Sequence, residues 1–331
     1  MRRTNSAHPP AATPVPGSAG VPIEPLPNAL RETASALSFF DRPPSRRLAI
    51  GLCALLALIW GTTWSVIRIG LEGISPFTGV ALRFGIAGLL LFGVARLVGA
   101  PLRTGAGRWL MTLHGIASFC VSYGVTYWAE QWVPSGLTAL LFATFPLWVT
   151  VLAFGVLPNE RPTAASVAGI TAGFAGVAVL FSQDFAVLGG RQVLIASAVM
   201  LLAPLSSAFA NVAIKRWGRG LHPVTLNAWA MVLASGVMGA AAATVERERA
   251  LVFDTTSISS LLYLAVIGSV VTFTLYFWLL QHLPATRVAL IAYAVPVVAV
   301  LIGALAFDEP VTARTVAGGL LVMAGIGLAS R

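Results

Sequence analysis

Residues 134–148 read PSGLTALLFATFPLW, and residues 284–298 read PATRVALIAYAVPVV. Laid over one another they share the opening proline (Pro134, Pro284), the pair Ala139-Leu140 with Ala289-Leu290, and a late proline, Pro146 with Pro296. The match extends outward on both sides. Upstream, Trp128 and Gln131 meet Trp278 and Gln281. Downstream, after one gap, Glu160, Thr163-Ala164 and Val167-Ala168-Gly169 meet Glu309, Thr312-Ala313 and Val316-Ala317-Gly318. The chain reads as two copies of one unit.

Composition says what kind of unit it is. Of 331 residues 57% are hydrophobic and only 10% charged, where a soluble domain carries about 25% charged residues. From Leu48 onward the apolar residues fall into stretches of about 20, enough helix to cross about 30 Å of hydrocarbon. Ten are predicted, over 48–67, 77–97, 109–128, 135–157, 164–183, 193–214, 224–245, 258–280, 286–307 and 313–330. Five per copy is an odd number, so the second copy enters the membrane from the opposite side. The expected fold is an all-α polytopic membrane protein of ten transmembrane helices in two inverted five-helix repeats, 48–183 and 193–331. Residues 1–47, rich in Pro, Ala and Ser, cannot bury a core and are expected to form a disordered cytoplasmic tail.

The net charge of +9 does not point to nucleic acid, because the basic residues stand singly between apolar runs and form no continuous phosphate-binding face. They report orientation instead. With the N-terminus inside, inner segments hold fifteen Lys and Arg against five outside, which places both termini in the cytoplasm. Cys53 and Cys120 lie in apolar segments without metal-ligand company, so neither a disulfide nor a metal site is expected.

Trp60-Gly61-Thr62 in span one, Ala81-Leu82-Arg83-Phe84 in span two and Pro134 to Gly136 opening span four resemble the EamA family of the drug/metabolite transporter superfamily. So do the central prolines of spans four and nine, the acidic turns at Glu160 and Glu309, and the Gly-rich spans five and ten. The resemblance covers 48–331. It implies an inner-membrane carrier or exporter of amino acids and other small metabolites. Where many relatives have Gly-Glu, this chain has Asn159-Glu160 and Asp308-Glu309.

The binding region is expected near the midplane. Pro146 and Pro296 each remove a backbone donor and free the carbonyl four residues earlier, at Phe142 and Ala292. Paired interruptions at matching places in two halves mark a substrate site. Ser269, Thr272 and Tyr276 share a helix face in span eight, and the repeat sets Ser122 and Thr126 opposite Thr272 and Tyr276 in span three. Thr144, Ser207, Asn211 and Tyr293 add polar groups from spans four, six and nine. Trp60 and Trp64, one turn apart, either wall the cavity or pack against lipid or core. Arg83, within span two, needs a partner or a water-filled cavity; Glu130 is the expected partner and Glu72 its rival, as a structural pair or a gate. Glu160 and Glu309 precede Thr163 and Thr312, which read as N-caps. His114 reads as a packing residue or a titrating one. Gly169, Gly173, Gly176, Gly318 and Gly325 permit close helix contact within the chain or at a homodimer face.

No ATP-binding lysine loop is present and no carboxylate lies mid-span, so neither cofactor nor nucleotide is expected. Convergent catalytic groups are likewise lacking in the sequence, which argues against a membrane enzyme. The expected function is secondary transport of a small molecule by alternating access; a channel-like facilitator or a sensor is the alternative.

Overall fold

The computed structural model describes residues 40, 42–102, 105, 107–180, 182, 190–306 and 312–329. The predicted tail, apart from its end, and Glu309 lie outside the described residues. Among the described residues the chain is helical, with no strand. In the first copy α1 is Arg46–Gly70, α2 Pro76–Leu97, α3 Arg108–His114, α4 Tyr123–Ala129, α5 Ser135–Phe142, α6 Phe145–Val156 and α7 Ala164–Leu180. In the second, α8 is Arg191–Met200, α9 Leu202–Trp217, α10 Pro223–Val245, α11 Thr255–Ala265, α12 Thr272–His282, α13 Ala285–Ala289, α14 Ile291–Ala306 and α15 Ala313–Ala329. Six helical stretches are long and apolar enough to cross a membrane, and three further apolar helices are shorter. Six of the predicted spans, one, two, four, six, seven and eight, fall on the long stretches and spans five, nine and ten on the shorter helices, while predicted span three falls on the α3–α4 stretch, which is in neither group.

The helix starts follow local chemistry. Pro76 and Pro223 stand at the first positions of α2 and α10, where the missing N–H would have no partner in any case. Thr163 accepts from the Ser166 N–H at 3.1 Å, the expected N-cap of α7. Asp254, in the loop before α11, accepts from the Ser257 N–H at 2.7 Å, and these bonds hold its carboxyl below the ordinary range.

Span three and span eight each contain a widened π-helical turn, Gly115–Ser122 and Val266–Val271. Shifted by the repeat offset of 150, the second falls inside the first (266 − 150 = 116; 271 − 150 = 121). Such bulges carry an extra residue and re-aim the side chains that follow. The helical spacing that put Ser269, Thr272 and Tyr276 on one face runs through the second bulge, so it does not hold.

Proline breaks span four where expected. Ala143 and Thr144 form a turn between α5 and α6, and Pro146 sits in the first turn of α6. Span six is likewise interrupted at Leu201, ahead of Pro204. Span nine differs from expectation: the chain turns at Leu290, six residues before Pro296 (296 − 290 = 6), and the proline lies inside α14.

Two helix pairs across the repeats have the most extensive contacts, α2 with α10 and α7 with α15. The second pair is backbone against backbone. A Cβ on Gly169 would lie 2.5 Å from the Ala329 nitrogen, on Gly176 2.6 Å from the Val322 nitrogen, and on Gly325 2.5 Å from the Gly173 nitrogen. The glycine faces are therefore used inside the chain, which closes the dimer-face reading for them.

Contacts at the two ends of the bundle follow the alternating order of the spans. One end gathers Phe40, the turn near Leu102, Glu160, Lys215, Leu221 and Leu283; the Trp278 indole donates to the Phe40 carbonyl at 3.0 Å, and the Trp229 indole to the Leu102 carbonyl at 2.9 Å. The other gathers Gly73, Gln131, Val133, Glu246 and Val252. There Glu246 accepts from the Phe77 and Thr78 N–H groups at 2.8 and 2.9 Å, a carboxylate on the positive end of α2.

Candidate functional site

The helices outside the two braced pairs enclose a central cavity of about 90 Å³. Its lining comes from spans one, three and four and from their repeat mates six, eight and nine. Spans two, five, seven and ten contribute nothing to it, so the braces and the cavity are made by different helices.

Seven of the predicted residues line it: Trp60, Trp64, Ser122, Thr126, Ser207, Asn211 and Tyr276. The carbonyl-bearing residues expected to be freed by proline, Phe142 and Ala292, line it too. The aromatic wall is built across the repeats. The Trp60 ring lies 5.3 Å from Tyr276 and 5.8 Å from Phe273, and the Trp64 ring lies 5.5 Å from Phe142. Gly61 lets α1 approach α14, because a Cβ there would already sit 3.0 Å from Val298.

Five predicted residues are placed elsewhere. Tyr293 donates its hydroxyl to the Ile170 carbonyl at 2.8 Å and covers Gly173, so it packs span nine on span five. Thr144 bonds the Leu141 carbonyl at 2.8 Å and finishes the turn between α5 and α6. Pro146 and Pro296 are buried and shape the backbone without lining the cavity. Thr272 is buried but off the cavity, displaced by the bulge that precedes it. Conversely, Ser118, Tyr123, Phe273 and His114 line the cavity. Ser118 and Ser122 both stand in the first bulge, so α-helical spacing alone does not predict that they line the cavity together.

Among the described residues no charged side chain lines the cavity. Arg83 is fully buried behind it. Its Nε donates to Ser269 Oγ at 2.9 Å, Nη2 to the Gly268 carbonyl at 2.9 Å and Nη1 to Tyr127 OH at 3.3 Å, and the guanidinium lies 4.8 Å over the Tyr123 ring. Among the described residues it has no ion pair within 4.0 Å, so neither Glu130 nor Glu72 bonds it directly, although Glu130 stays within electrostatic reach of Arg68 and Arg83. The physical reason is supply: the bulge in span eight frees a carbonyl and a hydroxyl at the right depth, and neutral acceptors satisfy the fork. Glu130 is buried at the C-terminus of α4, and neither carboxylate oxygen has a hydrogen-bond partner among the described residues.

A model of the EamA-like transporter family matches residues 47–182 and again residues 194–331. The chain belongs to the EamA-like transporter family. Similar proteins include an uncharacterized inner membrane transporter, YedA, of Escherichia coli, 33% identical over 76% of this chain and 81% of that protein. An uncharacterized transporter, YoaV, of Bacillus subtilis is 25% identical over 85% of this chain and 95% of its own length. A solved crystal structure shares the fold with a TM-score of 0.72 at 20% identity, covering 86% of this chain and 97% of the other. The protein is a multi-pass membrane transporter.

In this EamA transporter one end of the bundle is clamped between the two repeats. Lys215, at the end of α9, donates to the Leu280 and Leu283 carbonyls at 2.8 Å each and to the Gln281 carbonyl at 3.4 Å. It also pairs with Glu160 at 3.3 Å, whose other oxygen accepts from the Ala285 N–H at 2.6 Å. Glu160 was expected to favour its own helix, α7; it serves the N-terminus of α13 in the other repeat. At the opposite end the related contact, Arg68 to the Val133 carbonyl, is a single bond of 3.4 Å. Lys215→Met removes four partners at once from a site that is only 15% exposed. It is expected to lower stability by about 1–3 kcal/mol, read as a drop in Tm of the detergent-solubilised protein, whereas Arg68→Met, which removes one long bond, should lower the Tm less.

Proposed function

We propose that this transporter is an alternating-access secondary carrier that exports a small metabolite, an amino acid or a related compound, across the bacterial inner membrane. In this reading it has ten crossings in two inverted five-helix repeats, and both termini face the cytoplasm. The observation that carries it is the cavity itself: six spans related in two sets of three meet around a space walled by aromatic rings and uncharged polar groups. Inverted halves around one site can face either side by rocking about it. The halves are tied at both ends, by Glu160 and Lys215 at one and by Glu246 at the other. The neutral lining favours a solute of no net charge, because a lone ion would be moved from water into a site with no opposite charge to meet it.

Counterflow in proteoliposomes tests the proposal. A labelled amino acid should exchange faster when its unlabelled form is trapped on the other side, and the triple change Trp60→Ala, Asn211→Ala, Tyr276→Ala should cut that exchange more than tenfold. Trans-acceleration by no amino acid removes this substrate class. Exchange that survives the triple change removes the cavity as the site, and flux that neither saturates nor trans-accelerates identifies a channel.

A further inference from the structure

The proposed cavity has two unlike sets of lining groups, and the hydrogen bonds behind one of them fix its polarity. Spans three and six supply His114, Ser118, Ser122, Thr126, Ser207 and Asn211, while most of the aromatic rings come from spans one, four and eight. Asn211 donates its amide N–H to the Ser207 carbonyl at 2.8 Å, which leaves Oδ1 as the free end of the side chain; that oxygen is buried without a partner among the described residues. His114 is set by a longer relay. Asn227 donates its amide to the Pro223 and Phe273 carbonyls at 2.9 and 3.2 Å, so its Oδ1 accepts from His114 Nε2 at 3.2 Å. A neutral imidazole that donates from Nε2 presents a bare lone pair at Nδ1, and Nδ1 too is buried without a partner.

We infer that Asn211 Oδ1 and His114 Nδ1 form the subsite for the substrate's amino group. This rests on the cavity being the substrate site. Both atoms can only accept, so a group with several N–H donors satisfies them, and a carboxylate repels them. The unpartnered N–H groups of Trp60 and Trp64 on span one are donors for a carboxylate or carbonyl, and Arg83 lies behind the lining ring of Tyr123. An α-amino acid with an apolar or aromatic side chain matches the arrangement: ammonium on the acceptor wall, carboxylate on the indole N–H groups, body among the rings. Sites that bond a ligand's N–H reject the analogue lacking it, because their own buried acceptors are then stranded.

The test is binding of phenylalanine, phenethylamine and 3-phenylpropanoate to the purified full-length transporter, by thermal shift and calorimetry. Phenylalanine and phenethylamine are expected to bind at least tenfold tighter than 3-phenylpropanoate. Asn211→Leu and His114→Phe should each weaken the two amino-bearing ligands at least tenfold and leave the des-amino acid unchanged, while Asn211→Asp, which keeps the acceptor oxygen, should retain or strengthen them. Equal weakening of all three ligands, or a des-amino acid that binds as well as phenylalanine, overturns the subsite. So does the absence of binding by any of the three to the parent protein. Binding that survives Trp60→Ala undiminished is a different failure: it moves the site out of this cavity and takes the underlying reading with it.

Discussion

Arg83→Glu is expected to abolish accumulation of folded transporter, and adding Glu130→Arg is expected not to restore it. The guanidinium is held by a carbonyl, two hydroxyls and a ring face. A carboxylate in its place would face the Gly268 carbonyl at a depth with no water to screen it. Breaking a buried charged site in this way costs about 3–5 kcal/mol, a large part of the stability of a domain. The double reversal is expected to fail because Arg83 is bonded directly to Ser269, Tyr127 and Gly268 and not to Glu130, so moving the charge to position 130 does not rebuild those bonds. Fluorescence-detected size exclusion of the single and double variants gives the answer, and recovery of a monodisperse peak by the double variant would reinstate the ion pair. Arg83→Lys keeps the charge but loses the fork, and should yield folded protein with a lowered Tm.

Gly325→Ala should be as damaging, though it adds a single carbon. The new Cβ would lie 2.5 Å from the Gly173 nitrogen and 2.6 Å from the Gly169 carbonyl oxygen. Neither is a flexible side chain that can swing aside, so α15 must move away from α7 along the length of the brace. Overpacking of this kind costs about 1–3 kcal/mol where side chains can adjust, and backbone contact puts the effect at or above the upper figure. Gly319→Ala, on the same helix, meets nothing within 4 Å and should be tolerated with a gain of up to about 1 kcal/mol from helix propensity. Comparing the Tm of the two variants separates close packing from any general intolerance of α15.

The scaffold was legible because it rests on coarse and repeated signals. Apolar stretches report spans, and the Pro134 and Pro284 segments report the duplication. The aromatic and hydroxyl cavity was legible through the same repeat, since Ser122 and Thr126 were found by their correspondence with span eight. The bulges were not. An extra residue in a helical turn leaves no compositional mark, and it changes which residues share a face beyond it. Both copies carry the bulge, yet Ser122 lines the cavity and its mate Thr272 does not, so the two halves differ in detail where the repeat predicts a match. The Arg83 error has the same root: a sequence shows the other charges that could answer an arginine, but not a carbonyl released by a bulge. Tyr293 was misplaced for a different reason. Its hydroxyl found a backbone carbonyl in span five, a contact set by the glycine brace, which only the three-dimensional pairing of α7 with α15 reveals.

A duplicated scaffold with identical halves would give its two facings equal free energy and equal occupancy. Arg83 breaks that balance. The prolines opening α2 and α10 are 147 positions apart (223 − 76 = 147), and the residue 147 beyond Arg83 (83 + 147 = 230) is Ala230. Alanine can hold neither a carbonyl nor a hydroxyl of the facing bulge; a Cβ on Gly115 in the first bulge would lie 2.8 Å from the Ala230 oxygen, so that side is closed by plain contact. The contact of α2 with span eight is bolted through a charge and its counterpart, α10 with span three, is not. Under alternating access those bonds bias the two facings only to the extent that one facing breaks them, tenfold in population for each 1.4 kcal/mol of difference.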